Sequence, residues 1–108
     1  MAISIMRVNH VHPDPTDPAE MSDRYRAAVD MAAYLDERGL TMVQLDEHHV
    51  SSVGWSPTPL LTAGMILART ETLSVTIGAL LLPLHDPIRV AEDLAVLDLV
   101  GKGRISVT

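Results

Sequence analysis

The sequence predicts an α/β protein built on a parallel sheet, and three observations carry that prediction. Segments of strand and helix character alternate as β-α-β-α-β-α-β along 108 residues. The run 73–82, LSVTIGALLL, is apolar almost throughout, as expected for a strand buried on both faces of a parallel sheet. Asp86-Pro87 marks a helix start, with an acid at the N-cap and a proline at the first helical position, where its missing N–H is harmless. Right-handed crossovers between such strands give a parallel sheet covered by helices. The pattern alone leaves open whether that sheet is doubly wound or part of a closed barrel.

Each element has its own signal. Residues 3–8 are rich in apolar and β-branched side chains and stop at Pro13-Asp14-Pro15, so they read as a strand that ends near His10. Met21, Tyr25, Ala28, Val29, Ala32 and Leu35 then recur at helical period, predicting a helix over about 19–38 with Gly39 as its left-handed stop. The second strand is 41–45, TMVQL, and its carboxyl end opens directly into Asp46-Glu47-His48-His49. After a Ser/Gly stretch, Pro57, Thr58 and Pro59 start a helix that runs to about Arg69. The apolar third strand follows the turn Thr70-Glu71-Thr72. Val90, Ala91, Leu94, Leu97 and Val100 form the buried face of the third helix, Gly101-Lys102-Gly103 ends it, and 104–108, RISVT, is a fourth strand.

A chain of this length holds one core, so residues 1–108 are expected to form one domain. Apolar residues at 47% against 20% charged exclude disorder. Without Phe, the core must be built from Leu, Ile, Val, Ala and six Met. A net charge of −6 with no basic cluster argues against a nucleic-acid partner, whose phosphates demand a basic face. The absence of Cys removes disulfides, thiolate catalysis and Cys-ligated metals, and it fits a reducing compartment. No apolar run approaches the roughly 18 residues of a membrane span, so the expectation is a cytoplasmic protein with no membrane partner.

Chemistry-bearing residues gather at the strand ends. Glu47, His48 and His49 are a carboxylate and two imidazoles in succession; they read either as acid–base machinery or as polar loop residues that hydrogen-bond to one another. Gly78-Ala79 puts two small residues into a bulky strand, which permits a bulge, the close approach of a ligand, or plain packing against a helix. His10 and His12 are spaced like the paired metal ligands of barrel hydrolases, which makes a metal-dependent amidohydrolase-like enzyme the alternative function; Pro13 and Pro15, which break the strand there, oppose it. Trp55 reads equally as a cover over a pocket or as an isolated surface residue. Capping accounts for Asp86 and Pro87, and His85 is read with them as structural. One of Glu92, Asp93 and Asp98 is expected to be buried and paired with Arg104 or Arg69.

Three motifs in this order carry a resemblance: Asp46-Glu47-His48-His49 after strand two, the stretch from Thr76 to Pro87 at strand three, and Ala91-Glu92-Asp93-Leu94-Ala95-Val96-Leu97-Asp98 through Gly103-Arg104. Together they resemble the bacterial luciferase-like family of flavin- and deazaflavin-dependent oxidoreductases, and the similarity spans nearly the whole chain. The resemblance implies a (β/α)8 barrel, of which this chain is the amino-terminal half. It also implies a cofactor, FMN or coenzyme F420, at the carboxyl ends of the strands, where barrels carry their chemistry.

Within that resemblance His48 is the catalytic acid or base. Asn9, Glu47, Gly78 and Ala79 contribute to the cofactor site, with a non-prolyl cis peptide at Gly78-Ala79, and no metal is implied. Glu47 is expected mainly to orient its neighbours, with His49 in a lesser role. The substrate is expected to be a small molecule and the assembly a homodimer. Residues gripping the cofactor's phosphate tail fall in the other half of such barrels, so the isolated segment is expected to be inactive. A non-catalytic short product is a further alternative.

Overall fold

The computed structural model describes residues 2–108. Its elements run β1 (Ile5–Val8), α1 (Pro18–Asp36), β2 (Met42–Leu45), α2 (Pro59–Arg69), β3 (Ser74–Ile77), a 3-10 turn (Leu82–Leu84), α3 (Pro87–Gly101) and β4 (Ile105–Val107). All predicted elements are present in the predicted order. The helix signals work as their chemistry dictates. Asp17 caps α1 by accepting from the Ala19 and Glu20 amides, and Asp86 caps α3 through the amides of Ile88 and Arg89. Gly39, at φ 81°, reverses the chain after α1, and Lys102 and Gly103 do the same after α3.

Strand β3 is shorter than the apolar run suggests. It ends at Ile77, the chain turns at Gly78 and Ala79, and Leu81 and Leu82 are exposed rather than buried. The Gly78 amide still donates to the Leu45 carbonyl at 2.8 Å, and the Leu80 amide to the Thr108 carbonyl at 3.2 Å. Apolar character here serves a loop as well as a strand.

The sheet is parallel throughout, in the order β1-β2-β3-β4. Val43, Leu45, Val75 and Ile77 point to one face and pack against Ala32 of α1, Ala63, Ile66 and Leu67 of α2, and Val90 and Leu97 of α3. All three helices therefore cover the same face. The alternate residues form a polar row on the other face, with Arg7 opposite Gln44, Gln44 opposite Thr76 and Thr76 opposite Ser106.

This arrangement answers what periodicity left open. A doubly wound sheet reverses its strand order and carries helices on both faces. Right-handed crossovers that always advance to the next strand put every helix on one side, which is an arc of a barrel.

Two glycines let α2 and α3 approach closely. A Cβ on Gly64 would lie 3.2 Å from Leu97 Cδ2, and one on Gly101 would lie 3.0 Å from Leu67 Cδ2. The open ends of this arc are β1 and β4, and its inner rim holds the polar strand ends.

Candidate functional site

The carboxyl end of β2 delivers four polar residues in succession. Asp46 is buried and accepts from Arg7 Nε at 2.7 Å, so a cation on β1 is fixed by a carboxylate just beyond β2. Glu47 follows, and its side chain has no exposed surface. Its Oε1 lies 2.7 Å from His49 Nε2 and 2.7 Å from His85 Nε2, and its Oε2 accepts from the Leu81 amide at 2.6 Å. One carboxylate thus ties the loop after β2 to the loop after β3.

Burial pushes the Glu47 carboxyl up. Hydrogen bonds from His49, the Leu81 amide and His85, together with the charge of His85 when protonated, outweigh that and hold it below the usual glutamate range. The group is an anion at neutral pH.

The two adjacent histidines have different partners. His48 is exposed, its amide donates to the Ser56 carbonyl at 3.0 Å, and its ring meets Trp55 edge-on with centroids 3.9 Å apart. Trp55 therefore packs on His48 rather than standing alone on the surface. Immediately after His49 the chain reverses at Val50, a β-branched residue at φ 53°. A side chain of that kind tolerates the left-handed region poorly, at about 1–3 kcal/mol, and such strain persists only where neighbours enforce it.

At the end of β3 the Gly78-Ala79 peptide is cis, as the resemblance implies. A Cβ on Gly78 would sit 3.1 Å from Thr108 Oγ1 and 3.6 Å from Gln44 Nε2. The bare glycine leaves a small cradle on the inner face, walled by a hydroxyl and an amide. A planar ring edged with carbonyls and ring nitrogens would have a hydroxyl and an amide within reach there, so the chemistry of these residues fits a flavin.

The loop after β1 is less convergent. Asn9 is half-buried and accepts from the Val11 amide at 3.3 Å. His10 is buried at φ 57° and stacks on Tyr25 of α1, with ring centroids 4.0 Å apart. Burial first, and the nearby Arg24 charge second, push its pKa below the ordinary imidazole value. His12 instead receives the Asp14 amide on Nδ1 at 2.9 Å, with Glu20 3.5 Å from its Nε2. Among the described residues no group of three or more His, Asp or Glu side chains is placed to hold a metal ion.

Two residues have roles that the sequence reading did not assign. His85, read as structural alongside its capping neighbours, is a full partner of Glu47; the signal that could have found it is an imidazole on the loop after the strand adjacent to the Glu-His-His run. Arg104 pairs with none of Glu92, Asp93 and Asp98, and none of those three is buried. Its guanidinium instead donates to the carbonyls of Leu67, Thr70 and Leu73 and to the Thr70 hydroxyl, all at the end of α2 or just beyond it. Glu92 and Asp93 lie on the surface within ion-pair distance of Arg89, and Arg69 pairs with Asp30 of α1. Carbonyls at the end of α2 and just beyond it compete successfully for this part-buried cation.

Comparison with known proteins agrees with this geometry. The family model described as luciferase-like monooxygenase matches residues 1–108. The alkanal monooxygenase alpha chain of Photorhabdus laumondii is 38% identical over 69 residues, covering 64% of this chain and 19% of that protein. The alkanal monooxygenase beta chain of Vibrio harveyi is 32% identical over 78 residues, covering 72% of this chain and 24% of that protein. The chain thus spans about a fifth to a quarter of the length of these relatives.

Among solved structures, the oxygenating constituent of 3,6-diketocamphane monooxygenase from Pseudomonas putida, in complex with FMN, superposes with a TM-score of 0.85 at 20% identity, covering 99% of this chain and 29% of that one. Monooxygenase RslO1 from Streptomyces bottropensis gives 0.83 at 28% identity, covering 99% and 32%. With its one-sided helices, sequential parallel strands and polar strand ends, the chain belongs to the luciferase-like monooxygenase family, and its sheet is an arc of that family's (β/α)8 barrel.

Proposed function

We propose that this segment forms one side of the cofactor and substrate site of an FMN-dependent monooxygenase acting on a small molecule. The observation that carries the reading is the position of the Glu47–His48–His49 run at the carboxyl end of β2, one strand from the Gly78 cradle, in a chain whose family match is complete. The flavin supplies the two-electron chemistry when bound. Gln44, Gly78 and Thr108 would line its ring, with Asn9 and Ala79 at the rim. His48 would hold or move a proton at its imidazole, which packs against the edge of Trp55, while its main-chain amide is tied to the Ser56 carbonyl. The same reading makes the working protein a cytoplasmic homodimer.

The test is reconstitution of a complete barrel carrying residues 1–108 with FMN and, separately, with coenzyme F420. Oxygen consumption that depends on FMN and on an organic substrate supports the reading. Turnover with F420 alone, without oxygen uptake, replaces it with a hydride-transfer function. The isolated 108-residue chain should bind FMN weakly and show no turnover, because it supplies only one wall of the site. Submicromolar affinity of that chain for FMN would contradict this.

A further inference from the structure

Two imidazoles share one oxygen of Glu47, and the chemistry of that sharing is restrictive. An ionised carboxylate only accepts hydrogen bonds. Each ring nitrogen facing Oε1 at 2.7 Å must therefore carry a hydrogen, because an imidazole lone pair set against a carboxylate lone pair would be repelled. Oε2 is occupied by the Leu81 amide, so neither ring has a second oxygen to turn to. In a neutral imidazole protonated at Nε2, Nδ1 is a bare acceptor.

The neighbouring ring lacks such support. His48 packs on Trp55, and no carboxylate of the described residues is hydrogen-bonded to it, whereas His49 is backed by a fully buried anion. A carboxylate behind an imidazole holds its tautomer and stabilises the cation that forms when the far nitrogen takes a proton. The His49 side chain is also part-exposed at the strand end.

We propose that Glu47 is the positioning residue of the site: it fixes His49 and His85 as Nε2–H tautomers and leaves Nδ1 of His49 as a proton acceptor beside His48. Glu47 then reaches a ligand only through the rings it holds. His85 steadies the carboxylate from the β3 side, so the loops after β2 and β3 are tied through it. The use made of the acceptor rests on the flavin reading, and the tautomer assignment does not.

Two measurements test this, and they fail separately. In the 108-residue chain carrying 15N-labelled histidine, long-range 1H–15N spectra at a pH where the rings are neutral should show Nε2 of His49 and His85 bearing hydrogen and both Nδ1 atoms bare. Either ring found as the Nδ1–H tautomer overturns the assignment. Glu47→Gln, whose amide can donate or accept, should change the pattern in at least one ring.

In an FMN-loaded barrel carrying this segment, Glu47→Gln should lower kcat by roughly 10–100-fold, the range that follows loss of a carboxylate behind a metal-bound imidazole, with KM little changed. Glu47→Asp should restore part of the loss. A parent-like kcat for Glu47→Gln, or a loss confined to KM, overturns the positioning role. A parent barrel that binds FMN yet turns over nothing overturns the functional reading instead, with the tautomers still decided by the spectra.

Discussion

Arg104 donates from Nη2 to the main-chain carbonyl of Thr70 at 2.8 Å, joining the residue before β4 to the end of α2. The same guanidinium reaches the carbonyls of Leu67 and Leu73 and the Thr70 hydroxyl. Removing it leaves several part-buried acceptors without partners. Hydrogen bonds to charged groups contribute about 1.5–3 kcal/mol each and overlap when they share one donor group. Arg104→Ala should therefore lower stability by about 3 kcal/mol in urea unfolding. Arg104→Lys should recover little, since an ammonium cannot span carbonyls set apart by a planar fork. A loss under about 0.5 kcal/mol, the range of an ordinary surface change, would show that the α2 end is satisfied by water.

Asp36 does comparable work at the end of α1. Its carboxylate accepts from the amides of Glu71, Thr72 and Leu73 and from the Thr72 hydroxyl. Burial raises its pKa, and those hydrogen bonds outweigh burial and bring it below the ordinary aspartate value. A depressed carboxyl contributes stability that is full above its unfolded pKa of about 3.9 and is lost as pH falls through the folded value. Asp36→Asn should cost about 1–2 kcal/mol at neutral pH and flatten the acid limb of stability below about pH 4. An unchanged acid limb in the variant would assign that limb to other carboxyls, Glu47 first among them.

Much of this architecture was legible because single residues announce it. Asp86-Pro87 could only start a helix, Gly39 could only end one, and the alternation of Val43, Leu45, Val75 and Ile77 sets the covered face. The end of β3 was not legible, since Leu80, Leu81 and Leu82 have strand composition, and only the turn at Gly78-Ala79 takes them out of the sheet. The Glu47–His49 contact lies within one short motif and could be suspected from it. The Glu47–His85 contact joins residues 38 apart, and nothing in either local pattern specifies the partner. Arg104 misled for a related reason. Charge signs suggested a carboxylate, whereas the unpaired carbonyls at the end of α2 are a backbone property that carries no side-chain signature.

The arc's edges predict self-association. Strands β1 and β4 each offer an unpaired edge, Ile3 and Ile5 are exposed at one of them, and Ile88, Val96 and Leu99 are exposed along α3. Open parallel edges beside apolar surface recruit further chains. Sedimentation of the 108-residue chain should show dimers or larger species, and Ile5→Lys should shift the distribution toward monomer. A folded monomer at high concentration would contradict this.

His48 is the residue whose loss should separate chemistry from structure in a complete barrel. Its side chain is exposed and lies outside the hydrophobic core, so His48→Ala should leave folding and FMN binding nearly unchanged. Its ring nonetheless packs on Trp55, and its main chain is tied to Ser56 through its amide. General acid–base catalysis by a placed imidazole contributes about 10²–10⁴-fold, and turnover of His48→Ala should fall by that order at unchanged flavin occupancy, with kcat and kcat/KM falling together. Trp55→Phe, which keeps an aromatic face, should retain most of the activity, and Trp55→Ala should fall toward the His48→Ala level. Parent-like turnover in His48→Ala would assign proton handling to the carboxylate-backed His49 alone, and a variant that unfolds would make His48 part of a structural cluster.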